Sequence, residues 1–123
     1  MANWRQIKNS SSDVTLVNQA KWCTGFFSKL RGFMFRRSIE PEEGLVFVYH
    51  RDNRVNTSIH MFFVPFDLGV IWVNDAGHVV DFVCAKPWRP KYAPKDPARY
   101  VIELHPDKLE LVKIGDKLDF LAN

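Results

Sequence analysis

The stretch Val55 to Val73 reads VNTSIHMFFVPFDLGVIWV, and its first half alternates. Thr57, Ile59, Met61 and Phe63 fall on one side of an extended chain and Asn56, Ser58, His60 and Phe62 on the other, which is the two-residue period of a strand with one apolar and one mixed face. Pro65 has no amide hydrogen to give to a ladder, so the strand should bend there and resume as LGVIWV. The turn NDAG follows, with Gly77 at its left-handed position, and joins LGVIWV to HVVDFVCA as a hairpin.

The rest of the chain reads in the same way. Residues 1–13 are polar and Ser-rich, with Trp4 and Ile7 as their only sizeable apolar side chains, and are expected to be a loose end or an edge segment ahead of a strand at Val14 to Val17. Phe26, Phe27, Leu30, Phe33 and Met34 recur at helical spacing, with Thr24 as N-cap and Gly32 as the stop. SIEPEEG is turn chemistry, the run from Leu45 to Tyr49 is strand-favouring, and RDNR reads as a loop. Four prolines in KPWRPKYAPKDP require an extended loop before the strand ARYVIEL. Pro106 suits the first turn of a short helix over PDKLELV, and KLDFLA closes the chain as a strand.

About six strands and two short helices, with no long helix between consecutive strands, predict an α+β fold that is mainly β. The sheet should be largely antiparallel and curled towards a small barrel. A length of 123 residues, 46% of them hydrophobic, suits one domain, predicted over residues 14–123.

The net charge of +3 adds little, because the cations are interleaved with acids and form no block; weak polyanion contact follows, not a committed nucleic-acid binder. No segment has the apolar length of a signal peptide or a membrane helix, so a soluble, cytoplasmic protein is expected. Cys23 and Cys84 lack the spacing of a zinc or thioredoxin-type pair and should be free thiols.

The motifs LRGFMFR, EPEEGLVFVY, TSIHMFFV, the apolar strand ending in Trp72, the loop KPWR, ARYVIEL and the late IGD occur in an order and spacing that resembles the domain of unknown function 192 family. The resemblance runs from about Val14 to Phe120. It implies a small β-rich single domain with a helix or two and brings no established activity. The family's P-L-D or P-I-D triplet is altered, since an ungapped match sets Asp67 at its proline and Gly69 at its aspartate, so that the chain either lacks this carboxylate or carries it at Asp67. His105-Pro106-Asp107 stands where the family has a P-A-G turn.

Two sets of residues carry candidate chemistry. His60 could act as a general acid or base, oriented by Asp67 or Glu103, because an imidazole needs a carboxylate to fix its tautomer; a small hydrolase-like or isomerase-like enzyme would follow. The same polar residues could instead satisfy backbone groups, with Asn56 and Thr57 capping the strand. Glu103 stands out, flanked by Ile102 and Leu104. The second set is the loop with Lys86, Trp88, Arg89, Lys91 and Tyr92, cations interleaved with aromatics on a proline-stiffened backbone, suited to an anionic or aromatic ligand or to weak nucleic-acid contact. Its alternative is that Trp88 covers the core. The leading expectation is a non-catalytic binding domain using this loop and the adjacent mixed sheet face. No nucleophile motif, metal-ligand spacing or cofactor motif is present, and no membrane partner is expected.

Overall fold

The computed structural model describes residues 3–122. Seven strands and two short helices follow one another: β1 (Trp4–Asn9), β2 (Val14–Cys23), α1 (Phe26–Arg31), β3 (Gly44–Asn53), β4 (Leu68–Val73), β5 (Val79–Ala85), β6 (Ala98–Leu104), a 3₁₀ helix (Pro106–Leu111) and β7 (Leu118–Ala122). They form one sheet in the order β5-β4-β6-β3-β2-β1-β7. Every pairing is antiparallel except that of β2 with β3. The α+β, mainly β fold with a curled sheet is therefore the one expected.

The sheet curls into a half-barrel whose two outermost strands meet at one end. The Leu118 N–H donates to the Gly77 carbonyl at 2.8 Å and the Val79 N–H to the Asp116 carbonyl at 2.9 Å. The β4–β5 hairpin that supplies this corner forms for the local reason its sequence suggests. Gly77 has φ +92°, its N–H donates to the Asn74 carbonyl at 2.9 Å, and the Asn74 side chain accepts from the His78 N–H at 2.9 Å.

Four expectations need correction. Residues 4–9 are not a loose end: β1 lies between β2 and β7, Ile7 is fully buried, and the buried Asn9 amide donates to the Leu111 carbonyl at 3.0 Å and to Asp116 at 2.8 Å. Backbone pairing on both sides supplies what the missing apolar residues cannot. RDNR is no loop at its start, because β3 continues through Asn53. Residues 55–63 are not a strand. Their alternation survives as burial, with Thr57, Ile59 and Met61 inside, but Ile59 and Met61 donate to the carbonyls of Tyr92 and Arg89, both in the proline-rich loop. That loop takes the place of a neighbouring strand. Thr24, in addition, does not cap α1; the N-cap is Gly25, with no side-chain bond.

Strand alternation divides the core in two. Val46, Ile71, Val73, Ile102 and Leu104 join Ile7, Leu16 and Leu118 in one cluster inside the curl. Phe47, Leu68, Val70, Trp72 and Val101 face the other way and are covered by Phe33, Ile39, Ile59, Met61 and Val64. All six residues of β4 are buried, since this strand is packed on both faces. Trp72 ties the outer cover down, its indole N–H donating to the Thr57 carbonyl at 2.7 Å.

Candidate functional site

Two cavities flank α1. The larger, about 840 Å³, lies against β2 and the start of β3; there the Arg36 guanidinium donates to both oxygens of Glu43 at 2.8 Å, while Lys21 and Arg31 line it without an ion pair among the described residues. The smaller, about 400 Å³, lies between α1, the 56–64 segment and the outer face of the sheet. Phe26, Phe33, Phe47, Tyr49, Ile59 and Leu68 give it an apolar and aromatic wall, with Lys29 and Arg31 also lining it.

Glu103 reaches this second cavity from the middle of the sheet. It sits on β6 opposite Leu45 of β3 and Val70 of β4, and it is only 4% exposed. Among the described residues no donor bonds to its carboxyl group, and burial alone pushes its pKa up to about 8. A carboxyl in water would ionise near 4.5; here loss of hydration keeps it largely protonated at neutral pH. Tyr49, whose hydroxyl is also pushed up by burial and by Glu103, lines the same space.

Gly32 explains how α1 closes over the carboxyl. It ends the helix with φ +45°, and a Cβ at this position would lie 3.0 Å from Glu103 Oε1. A glycine is thus required twice, for the left-handed turn and for the close approach. On α1 itself the Lys29 ammonium lies 4.0 Å from the centroid of the Tyr49 ring, and partial burial lowers its pKa. No α1 side chain is buried.

The structure brings some of the expected residues together and separates others. His60 shares the cavity with Glu103 but makes no hydrogen bond to it; His60 Nδ1 accepts from the Phe62 N–H at 3.2 Å. Asp67 is elsewhere, paired with Lys86 at 3.0 Å. Gly69, at the position of the family's aspartate, faces the interior half of the sheet, where a Cβ would lie 2.9 Å from Leu104 Cδ1. Asp67 thus supplies no second carboxylate to the cavity. Thr57 Oγ1 donates to the Asn53 carbonyl at 2.7 Å, the backbone service expected of it. Asn56 takes no such role through its side chain; it is exposed and lines the cavity.

The loop residues Lys86, Trp88, Arg89, Lys91 and Tyr92 do not line either cavity. Tyr92 is structural, its hydroxyl accepting from the Lys86 N–H at 2.9 Å. Trp88 stands 53% exposed with its ring against Phe63. Cys23 and Cys84 are both free thiols. Burial raises the Cys23 thiol pKa, which makes it a poor nucleophile. Among the described residues no three His, Cys, Asp or Glu side chains are grouped as metal ligands would be, and no helix is long and apolar enough to cross a membrane.

The sheet order and the cavity beneath α1 can be set beside known proteins. The family model for DUF192, described as uncharacterized ACR, matches residues 7–120. The chain belongs to the DUF192 family. Its relatives include UPF0127 proteins of Thermococcus and Pyrococcus species: that of Thermococcus kodakarensis is 42% identical over 97 residues, covering 79% of this chain and 60% of the relative. That of Pyrococcus horikoshii is 35% identical over 118 residues, covering 94% and 99%. The match to a Thermococcus gammatolerans relative, 46% identical over 78 residues, covers 63% of this chain and 49% of that protein, about half its length. Among solved structures, a protein of unknown function from Novosphingobium aromaticivorans superposes with TM-score 0.81 at 19% identity, over 96% of this chain and 84% of that one. A provisionally named transcription regulator of Sinorhizobium meliloti gives 0.80 at 18%, over 98% and 94%. At such identities these two carry the fold alone.

Proposed function

We propose that this DUF192 member is a binding domain for a small organic cation, taken into the cavity beneath α1 with Glu103 as counter-ion. The observation that carries this reading is the Glu103 carboxyl, 4% exposed at an aromatic-walled cavity and without a hydrogen-bond donor from the described residues; none of their fully buried side-chain oxygens is left unpaired, so this carboxyl keeps its remaining contact with water. Holding such a group nearly out of water without a donor costs on the order of 1–3 kcal/mol. An apolar residue at the same place in β6 would avoid that cost, so folding alone does not account for the carboxyl. An amine entering the cavity would restore the ionised form beside rings of the kind that attract cations, of which Phe33 already has the Arg36 guanidinium over it at 5.5 Å and Phe47 has no such contact among the described residues. Lys29 already makes that kind of contact with Tyr49. Lys29, Arg31 and His60 also line this cavity; the small anionic or aromatic ligand expected from the loop would gain from them but not from Glu103, which only a cation draws into its ionised form.

Catalysis is the second reading, favoured by a carboxyl with a pKa of about 8 in one cavity with His60. A group poised near neutrality suits proton transfer.

Calorimetric titration with a panel of primary ammonium ions, against matched amides and carboxylates, tests the binding reading. Ammonium ligands should bind at least about tenfold more tightly than their neutral or anionic counterparts, and binding at pH 7 should release a proton as Glu103 ionises. Glu103→Gln should remove both the preference and the proton release. Equal affinity for the amides, or an unchanged Glu103→Gln variant, would refute it.

A further inference from the structure

Phe35, Phe63 and Trp88 have φ +65°, +62° and +65°, the left-handed backbone that bulky L-residues avoid. They are also neighbours. Phe35 and Phe63 stack at 4.9 Å between ring centroids, and Trp88 meets Phe63 edge-on at 5.1 Å. The backbone holds the three in place: the Phe35 N–H donates to the Phe63 carbonyl at 2.8 Å and the Trp88 N–H to the Met61 carbonyl at 2.9 Å. Strain of this kind persists only where surrounding structure imposes it. Here it presents rings to solvent, since all three are exposed.

They belong to a larger surface. Eight of the eleven exposed large hydrophobic residues among the described residues lie in segments 24–37, 54–67 and 86–92, including Phe26 at 72% and Phe27 at 80%. The same three segments hold eight of the seventeen Lys and Arg residues and only one of the fourteen acids, Asp67. That acid is paired with Lys86, and Arg36 is paired with Glu43 from outside the segments, which leaves six of the eight cations without an ion pair among the described residues. One part of the molecule therefore combines protruding apolar side chains with a concentrated positive charge, although the net charge of the whole chain is small.

We propose that this surface docks on an anionic lipid bilayer, with the aromatic residues in the interfacial zone and the cations on the headgroups. Protruding apolar side chains ringed by Lys and Arg are the composition that binds such an interface. A bilayer accommodates aliphatic side chains such as Leu30 and Val55 as readily as rings. A single-stranded nucleic acid needs open ring faces, and here Phe35 and Phe63 are stacked on one another. The proposal departs from the expectation of no membrane partner, as a surface contact without a spanning segment. The cavity holding Glu103 opens among the same residues, since Phe26, Leu30 and His60 line it.

Co-sedimentation of the full chain with phosphatidylcholine vesicles, with and without phosphatidylglycerol, tests the proposal. Binding to the mixed vesicles should exceed that to neutral ones by at least about tenfold and fall as salt is added. The pairs Phe26→Ser with Phe27→Ser and Arg31→Glu with Arg37→Glu, all at exposed positions, should each weaken it about tenfold with melting temperatures unchanged. Glu103→Gln should sediment like the unaltered protein, which separates this surface from the cation site. Failure to bind mixed vesicles overturns the proposal. So does binding that survives both paired substitutions, or binding seen only with a single-stranded oligonucleotide that the same substitutions abolish.

Discussion

Val46, Ile71, Ile102 and Leu104 point into the curl of the sheet and share a core with other aliphatic side chains. Their neighbours on the same strands, Phe47, Trp72, Val101 and Glu103, point to the outer face, where a carboxyl, a hydrogen-bonded indole and strained aromatic residues lie close together. One pleat thus makes two unlike environments at 3.3 Å intervals along each strand. The inner face is built for stability alone. The outer face instead leaves a cavity between α1 and the sheet.

The largest effect should come from opening a void on the inner face. Ile102 is fully buried, so Ile102→Ala should cost roughly 2–5 kcal/mol, read from urea unfolding. An equally large loss from Glu103→Gln, at the next position along β6, would erase the contrast between the faces.

The second prediction uses pH to show that the outer face is under tension. Below about pH 4.5 Glu103 is protonated in both folded and unfolded chains, so it contributes no pH dependence. Between about 4.5 and 8 the unfolded chain gives up the proton and the folded chain keeps it, so stability falls as pH rises; above about 8 both forms are ionised and the fall ends. At about 1.4 kcal/mol per pKa unit the whole window is worth a few kcal/mol. Glu103→Gln should therefore gain stability relative to the unaltered chain on going from pH 5 to pH 8.5. Parallel pH profiles would show that the carboxyl is not held protonated.

Thr57 tests the seam between the faces. Its hydroxyl is buried and donates to the Asn53 carbonyl, and its own carbonyl receives the Trp72 indole. Thr57→Val leaves the Asn53 carbonyl without that partner and should cost about 1–3 kcal/mol. A neutral substitution would mean that the cover over Trp72 is held by packing instead.

What could be read from the sequence follows the same division. The β4–β5 hairpin was legible because Asn74 and Gly77 encode their turn locally, and β6 because Tyr100, Val101 and Ile102 are strand-favouring. Glu103 stood out for the same reason, as a carboxyl between Ile102 and Leu104. β1 was not legible: its order depends on two partner strands and on the Asn9 side chain reaching the 3₁₀ helix, contacts distant in sequence. Residues 55–63 show the intermediate case. Which side chains are buried was readable from their alternation, but not that the backbone would bond to a proline-rich loop. The left-handed aromatics are the reverse of what local propensity favours, so only tertiary structure reveals them.

Trp88 gives the smallest effect and the most direct probe of strain at the rim. In most positions glycine is less stable than alanine by roughly 0.5–1 kcal/mol, because it gives up more backbone freedom on folding. At φ +65° the order should invert, since alanine keeps the Cβ that makes this conformation cost about 1–2 kcal/mol and glycine does not. Trp88→Gly should therefore be more stable than Trp88→Ala by up to about 1 kcal/mol. Both substitutions remove the same ring and the same edge contact with Phe63, so packing cancels from the comparison and only the backbone remains. A pair of thermal melts decides it. If alanine is the more stable replacement, the backbone at Trp88 relaxes out of the left-handed region once the ring is gone, and the strain belongs to the side chain's contacts and not to the loop that carries it.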